Sequence, residues 1–298
     1  MIASKARRSS GFLPPREALS QRAGVGYCQF SPRTPAILVD TNHPVWYNNI
    51  VVSFFPAGAR NKLMKLDLHI HTHFSRTRRW GSASLIEPRQ LLDKAVEAGL
   101  EGLAVTDHDE IEGSLLVAEL APYWGLVAVP GMEVSTSAGH ILALGITQRI
   151  PQKLSPEETI ERIHDQGGIA VAAHPLNLVV SLRKRQIITL RIDALETHNA
   201  RSPRNRKATK LYECLQLGQT GGSDAHSIHE IGAGITETAY HCATYHEIIR
   251  AIRDDKTLVY GRRARYGRIA RACIRTAACQ QKDRIKRRIL RRLGIHAA

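Results

Sequence analysis

Lys65-Leu66-Asp67-Leu68-His69-Ile70-His71-Thr72 decides how this chain of 298 residues is read. Leu66, Leu68 and Ile70 alternate with Asp67, His69 and His71. That period of two predicts a strand over Leu66–His71 with its three polar side chains on one face. Imidazole and carboxylate are common ligands for zinc, iron and manganese. A lone His-x-His pair is a weak sign, but this one is echoed by five further motifs. They are Thr106-Asp107-His108, Gly131-Met132-Glu133, Gly139-His140, Ala173-His174-Pro175 and Gly221-Gly222-Ser223-Asp224-Ala225-His226. Taken singly, His174 reads as a core histidine and His108 as a helix cap or a core residue. Together the eight groups stand at predicted strand exits, which points to one multinuclear metal centre and an enzyme.

Around these motifs strand and helix signals alternate. Helices are predicted over Pro88–Ala98, Ser114–Ala121, Pro156–Gln166, Lys207–Leu215 and Tyr245–Asp254. Strands are predicted over Gly102–Thr106, Leu126–Val134, Ile141–Ile146, Ile169–Ala173 and Ile192–Glu196, with Gln219–Gly222 leading into the last motif. Ser155 caps the third helix, Glu158 completes a capping box, and Gly167-Gly168 ends it. The alternation argues for a parallel α/β fold, whose chemistry sits in loops after the strand C-termini.

Charge divides the chain into three. Residues 1–63 carry 8 Lys/Arg against 2 Asp/Glu, and residues 261–298 carry 13 against 1. The middle holds 21 against 24, so the net charge of +15 belongs to the ends. The first segment is broken by prolines and reads as a loose or disordered extension; Met64 reads as the natural start. Arg265–Leu293 reads as a basic amphipathic helix, either solvated or an anchor for nucleic acid or another acidic surface. No membrane span is expected, since the apolar run Ile50–Phe55 is far short of the roughly 20 residues one needs. Five cysteines without a Cys-x-x-Cys pair fit free thiols in a reducing, cytoplasmic setting.

In order and spacing, these motifs resemble those of the PHP (polymerase and histidinol phosphatase) family over about residues 64–262. The resemblance implies a distorted (β/α)7 TIM-like barrel, here with flexible basic N- and C-terminal extensions (1–63 and 263–298). It implies two or three divalent ions (Mn2+, Zn2+ or Fe2+). His69, His71, Glu133 and Asp224 would hold the first, Glu133 would bridge to a second held by His140 and His174, and His108 and His226 would hold a third. Arg76 and Thr77 stand where the family usually supplies another ligand to the third site. Leu195-Glu196-Thr197-His198-Asn199 resembles a family strand end, which places Glu196 and Asn199 near the substrate.

The implied reaction is attack of a metal-activated hydroxide on phosphorus. Arg76 would clamp the phosphate, and His108 or His226, if free of metal, would protonate the leaving oxygen. The expected substrate is a small phosphomonoester or nucleotide. The first alternative is a 5′-to-3′ exonuclease on RNA or DNA ends, aided by nucleic-acid contact from the basic tail. The second is a degenerate barrel serving as a binding module.

Overall fold

The computed structural model describes residues 45–47, 50–52, 63–75, 84–178, 180–264, 267 and 274. Of its two units, Met1–Ala59 contains an antiparallel pairing of β1 (Val45–Tyr47) with β2 (Ile50–Val52). The rest of the extension expected over 1–63, and nearly all of the helix expected over 265–293, lie outside the described residues.

The unit Arg60–Ala298 holds two five-stranded sheets. In the first, β3 (Met64–Ile70), β4 (Gly102–Val105) and β5 (Val127–Val129) run parallel. On the other side of β3 lie the antiparallel β11 (Gly234–Thr238) and β12 (Thr257–Gly261). The second sheet joins β6 (Gly131–Ser135), β7 (His140–Leu144), β8 (Ile169–Ala172), β9 (Ala194–Asn199) and β10 (Gly218–Gly222) in that order. Its β6, β7 and β8 are antiparallel neighbours, while β8, β9 and β10 are parallel.

The expected (β/α)7 barrel is therefore corrected. Neither sheet closes, and several neighbours are antiparallel. The sheets meet at single β-bridges, Ile70 with Ala225 and His108 with Glu133. Pro130 accounts for one seam. It has no N–H to continue a ladder, and it splits the strand expected over Leu126–Val134 into β5 of one sheet and β6 of the other.

The strand alternation gives each sheet two apolar faces. On the outer face of the first, Leu91, Leu92 and Ala95 of α1 (Pro88–Glu97) and Val117 of α2 (Glu112–Leu120) pack against Ile70, Leu103 and Val105. On the second, α3 (Pro156–Asp165), α4 (Lys184–Thr189) and α5 (Asn205–Leu215) bury Ile160, Ile163, Ile187 and Leu211 against Met132, Val134 and Ile141. Between the sheets lie Met64, Leu66, Leu68, Leu142, Leu144 and Val171, joined by Ile248, Ile249 and Ile252 of α6 (Tyr245–Arg253). Each such buried Leu or Ile contributes about 1.5–3 kcal/mol, so apolar burial holds together seams that lack ladders. The predicted cap of α3 forms, with Ser155 Oγ accepting from Glu158 N at 3.1 Å. The short α4 and the strands β11 and β12 carry weaker periodic signals and were not expected.

Two bulges aim the site. In the β3–β4 pairing, Asp67 faces Leu103 but Ile70 faces Val105, so β3 carries one extra residue. Such an insertion reverses which side chains point inward. Leu66 and Leu68 lie in the inner core before it, and Ile70 lies in the outer core after it. His69 and His71 are thereby turned inward, and the shared face expected for Asp67 is lost. Asp67 instead accepts from the amides of Ser223 and Gly232, each at 2.8 Å. The β9–β10 pairing carries a similar irregularity, with Thr220 opposite Glu196 and Gly221 opposite His198. It lets Glu196 and Asn199 reach the same place.

Candidate metal centre

Glu133, on β6, is the hub. Its Oε1 lies 2.7 Å from His140 Nδ1 and 2.9 Å from His174 Nε2. Its Oε2 lies 3.0 Å from His108 Nδ1, 3.3 Å from His71 Nε2 and 3.4 Å from His69 Nε2. Asp224 Oδ1 completes one face, 3.3 Å from His71 Nε2 and 3.7 Å from His69 Nε2, and the two imidazole nitrogens are 3.1 Å apart. Four ligands on a tetrahedral ion with bonds of roughly 2.0–2.1 Å stand about 3.3–3.4 Å from one another. The five separations given above, 3.1–3.7 Å, are close to that spacing, and His69, His71 and Asp224 form one group of mutually close ligand atoms.

Hydrogen bonding on the outer side of the ring nitrogens sets their tautomers. His69 Nδ1 faces the Glu196 carboxylate at 2.9 Å and so carries the proton. Ser75 donates to Asp107, which leaves its oxygen to accept from His71 Nδ1 at 3.3 Å. Ser181 donates to the His174 carbonyl and accepts from His174 Nδ1 at 3.0 Å. His226 Nδ1 stands between the Asp224 carbonyl at 2.8 Å and Arg201 Nη1, which can only donate, at 2.7 Å. In their neutral forms the rings of His69, His71 and His174 aim Nε2 lone pairs inward at carboxylate oxygens. Lone pairs facing anions repel unless a cation lies between them, so the donor set fits divalent metal. Glu133 Oε2 and His226 Nε2 are buried without a well-formed hydrogen bond, as ligand atoms would be.

The electrostatics agree. Burial pushes Glu133 up, but the imidazoles of His108, His140 and His69 outweigh it and hold the carboxyl well below its ordinary range. Asp224 is depressed in the same way by His69, His71 and His226 against the effect of burial. Burial pulls His69 down, and Glu196, Asp224 and Glu133 overcome it, so this ring sits well above its ordinary value. His71 and His174 are also raised, by Glu133 and other carboxylates against burial. Burial prevails at His108, held down to about 3, and at His226, held well below the usual imidazole range.

Two ligands owe their aim to unusual backbone. His174 and Asp224 have φ of +30° and +52°, a region non-glycine residues seldom occupy and one that clusters at functional sites. Val171 and Ala173 point to the inner core, so a strand continued past them would turn His174 outward. The left-handed turn prevents this. Gly222 leaves room for β10 to lie against β3; a Cβ there would collide with the Cβ of His69.

The PHP-associated family model matches residues 202–257, the segment that carries Asp224 and His226. An uncharacterized protein of Methanocaldococcus jannaschii is 40% identical over 141 residues, 46% of this chain and 82% of that one. The 3′,5′-nucleoside bisphosphate phosphatase of Chromobacterium violaceum is 33% identical over 120 residues, 37% of this chain and 40% of its own length. In fold, the chain is similar to a two-domain Bacteroides vulgatus protein containing a predicted PHP-like metal-dependent phosphoesterase. The TM-score is 0.56 at 17% identity, over 67% of this chain and 65% of that one. The chain belongs to the PHP family.

Within this PHP centre, all eight residues read as ligands come together, in overlapping groups. Three triads have mutually close ligand atoms: His69–His71–Asp224, His108–Glu133–His140 and His71–His108–His226. His108 thus reaches Glu133 and His140 as well as the all-imidazole group. Arg76 and Thr77 lie outside the described residues. Glu196 and Asn199 are buried and bonded to ligands: Asn199 Nδ2 donates to both Glu196 oxygens at 3.1 Å and to Asp224 Oδ2 at 3.3 Å. Sequence reasoning missed Arg201, whose Nη1 lies 2.7 Å from His226 Nδ1. Its position two residues past Asn199 was the available signal. Among the described residues no helix is long and apolar enough to cross a membrane.

Proposed function

We propose that this PHP domain hydrolyses a phosphate ester, with a small phosphomonoester or nucleotide as substrate. The observation that carries this reading is the mutually close group of His69, His71 and Asp224, with Glu133 Oε2 at 3.3 and 3.4 Å from its two imidazoles. In our reading these four would hold one divalent ion, and Glu133, His140 and His174 would hold a second. His71, His108 and His226 offer a third position with imidazole ligands only. Nitrogen and oxygen donors suit Mn2+, Zn2+ and Fe2+ alike. When bound, such ions supply Lewis acidity and a hydroxide near neutral pH.

The chain's own residues supply the rest. Glu196 holds the His69 tautomer, and Ser75 and Ser181 do the same for His71 and His174. Arg201 is the cation placed to neutralise phosphoryl oxygens. His108 and His226 are held neutral by burial, which suits them to ligation better than to proton donation. The substrate class is supported by the phosphatase of Chromobacterium violaceum, which is named for a nucleoside bisphosphate.

The test is a screen of p-nitrophenyl phosphate, mononucleotides and 5′-phosphorylated oligonucleotides with added Mn2+, beside Glu133→Ala as control. Metal-dependent release of phosphate that is lost in the control is the expected result. No turnover of any ester by a protein that holds metal would overturn the reading in favour of a binding module.

A further inference from the structure

We infer that Glu230 is the positioning residue for Arg201: it holds the guanidinium beside His226 with N–H groups left for a phosphoryl group. The inference rests on the phosphoesterase reading above and adds to it a residue outside the set of metal ligands.

The loop after β10 carries Asp224, His226 and Glu230 in one run. Asp67 fastens both ends of that run, since its carboxylate accepts from Ser223 N and Gly232 N. Two turns fold it back on itself, with Glu230 N donating to Ser227 O at 2.9 Å and Ala233 N to Glu230 O at 3.0 Å. Glu230 thereby returns to His226, where its Oε2 accepts from His226 N at 2.9 Å. Arg201 comes from the loop after β9. Its backbone N donates to Asn199 Oδ1 at 2.9 Å, and Asn199 is itself bonded to Glu196 and Asp224. The two loops meet with the guanidinium between them. Its Nη1 lies 2.7 Å from His226 Nδ1, and its Nε lies 3.9 Å from Glu230 Oε1.

Glu230 is 3% exposed, and its Oε1 is buried without a hydrogen-bond partner. A carboxylate oxygen so placed is costly unless a cation stands near it, and Arg201 is that cation. At 3.9 Å the pair is an ionic contact, too long for a hydrogen bond. Charge therefore holds the guanidinium in place while leaving it able to turn toward a ligand. A guanidinium has five N–H groups. Nη1 uses one on His226 and Nε faces Glu230, and among the described residues the Arg201 side chain makes no other hydrogen bond or ion pair. The Nη2 side is left for the oxygens of a phosphoryl group, which match the guanidinium fork. Without Glu230, a cation only 12% exposed would lose its paired anion, and the way to restore solvation is to swing outward. A purely bracing role would need Oε2 alone, on His226 N. It leaves unexplained a second, buried oxygen aimed at Arg201.

The test uses the full chain loaded with Mn2+ and compares wild type, Glu230→Gln, Arg201→Ala and the double variant. Glutamine keeps an oxygen for His226 N and removes the charge, so a brace survives and the ionic contact does not. Binding of inorganic phosphate is read by calorimetry, hydrolysis of p-nitrophenyl phosphate as kcat and KM separately, and Mn2+ content by mass spectrometry. We expect Glu230→Gln to weaken phosphate binding about tenfold, the scale of one weakened charge-assisted contact. KM should rise in step, with kcat and Mn2+ content held. In the Arg201→Ala background the same substitution should add nothing, because the two residues act as one unit. Unchanged phosphate binding in Glu230→Gln, a full additive loss in the double variant, or a loss of Mn2+ that accounts for the weakened binding overturns the inference. If Glu230→Gln does not fold, rescue of Arg201→Ala decides. Guanidinium at a non-denaturing concentration should restore phosphate binding beside the intact Glu230 where methylammonium does not, and no rescue overturns the inference. A metal-loaded wild type that binds phosphate but hydrolyses no ester overturns the phosphoesterase reading instead.

Discussion

Glu196→Gln tests the centre with the removal of one charge and almost no volume. Glu196 Oε1 faces His69 Nδ1 at 2.9 Å, and Oε2 accepts from His174 N at 2.6 Å. A glutamine keeps one oxygen and replaces the other with NH2. If NH2 faces His69, two donors meet, and the ring must flip its tautomer and turn an N–H toward the ion. If NH2 faces His174, two donors meet at the backbone and the turn that aims His174 is disturbed. Either arrangement leaves a buried polar group unsatisfied, which costs about 1–3 kcal/mol. Loss of such an outer partner typically lowers metal affinity about 10- to 100-fold. Chelator competition with Zn2+ or Mn2+ on the full chain measures the change, with circular dichroism to check the fold. An affinity within twofold of wild type, in a folded variant, would show that Glu196 does not set the His69 tautomer.

Three further outcomes follow from the geometry. In metal-free protein the raised pKa of His69, His71 and His174 gives stability that is full below their ordinary 6.5 and is lost as pH rises through the folded values. The depressed Glu133 and Asp224 give stability that is present above their ordinary 4.5 and 3.8 and is lost as pH falls through the folded values. The Tm of the metal-free chain should therefore fall on going from pH 6 to pH 9, and added divalent metal should restore it; a flat profile in calorimetry counts against the charge pairing. Arg201→Ala should raise KM for a phosphate substrate roughly 10- to 150-fold, the equivalent of a lost charge-assisted hydrogen bond of about 1.5–3 kcal/mol, and unchanged steady-state kinetics would remove Arg201 from the site. Gly222→Ala should cost about 1–3 kcal/mol in thermal denaturation, because its Cβ meets His69; a Tm equal to wild type would contradict the close approach of β10 to β3.

Much of the centre was legible because its ligands come in short motifs beside apolar strands, and local alternation is enough to mark strand ends. What was not legible depended on contacts distant in sequence. The bulge between Asp67 and Ile70 appears only once β3 pairs with β4, and it separates Asp67 from the two histidines it seemed to accompany. Glu196 and Asn199 were placed near the substrate, whereas 127 residues of separation bring Glu196 to His69 as a hydrogen-bond partner. Pro130 was visible, but its effect, the transfer of the chain from one sheet to the other, needs both sheets in place.

The amino-acid sequence by itself determined the donor set, its order and its position at strand ends, because residue type and periodicity are local properties. Only the tertiary structure decided that Glu133 touches five imidazoles, that His108 belongs to two ligand groups, and that the sheets stay open with single bridges at their seams. Those outcomes depend on bulges, left-handed turns and the meeting of distant strands. The free energy of each is settled by burial and pairing across the fold rather than by neighbours along the chain.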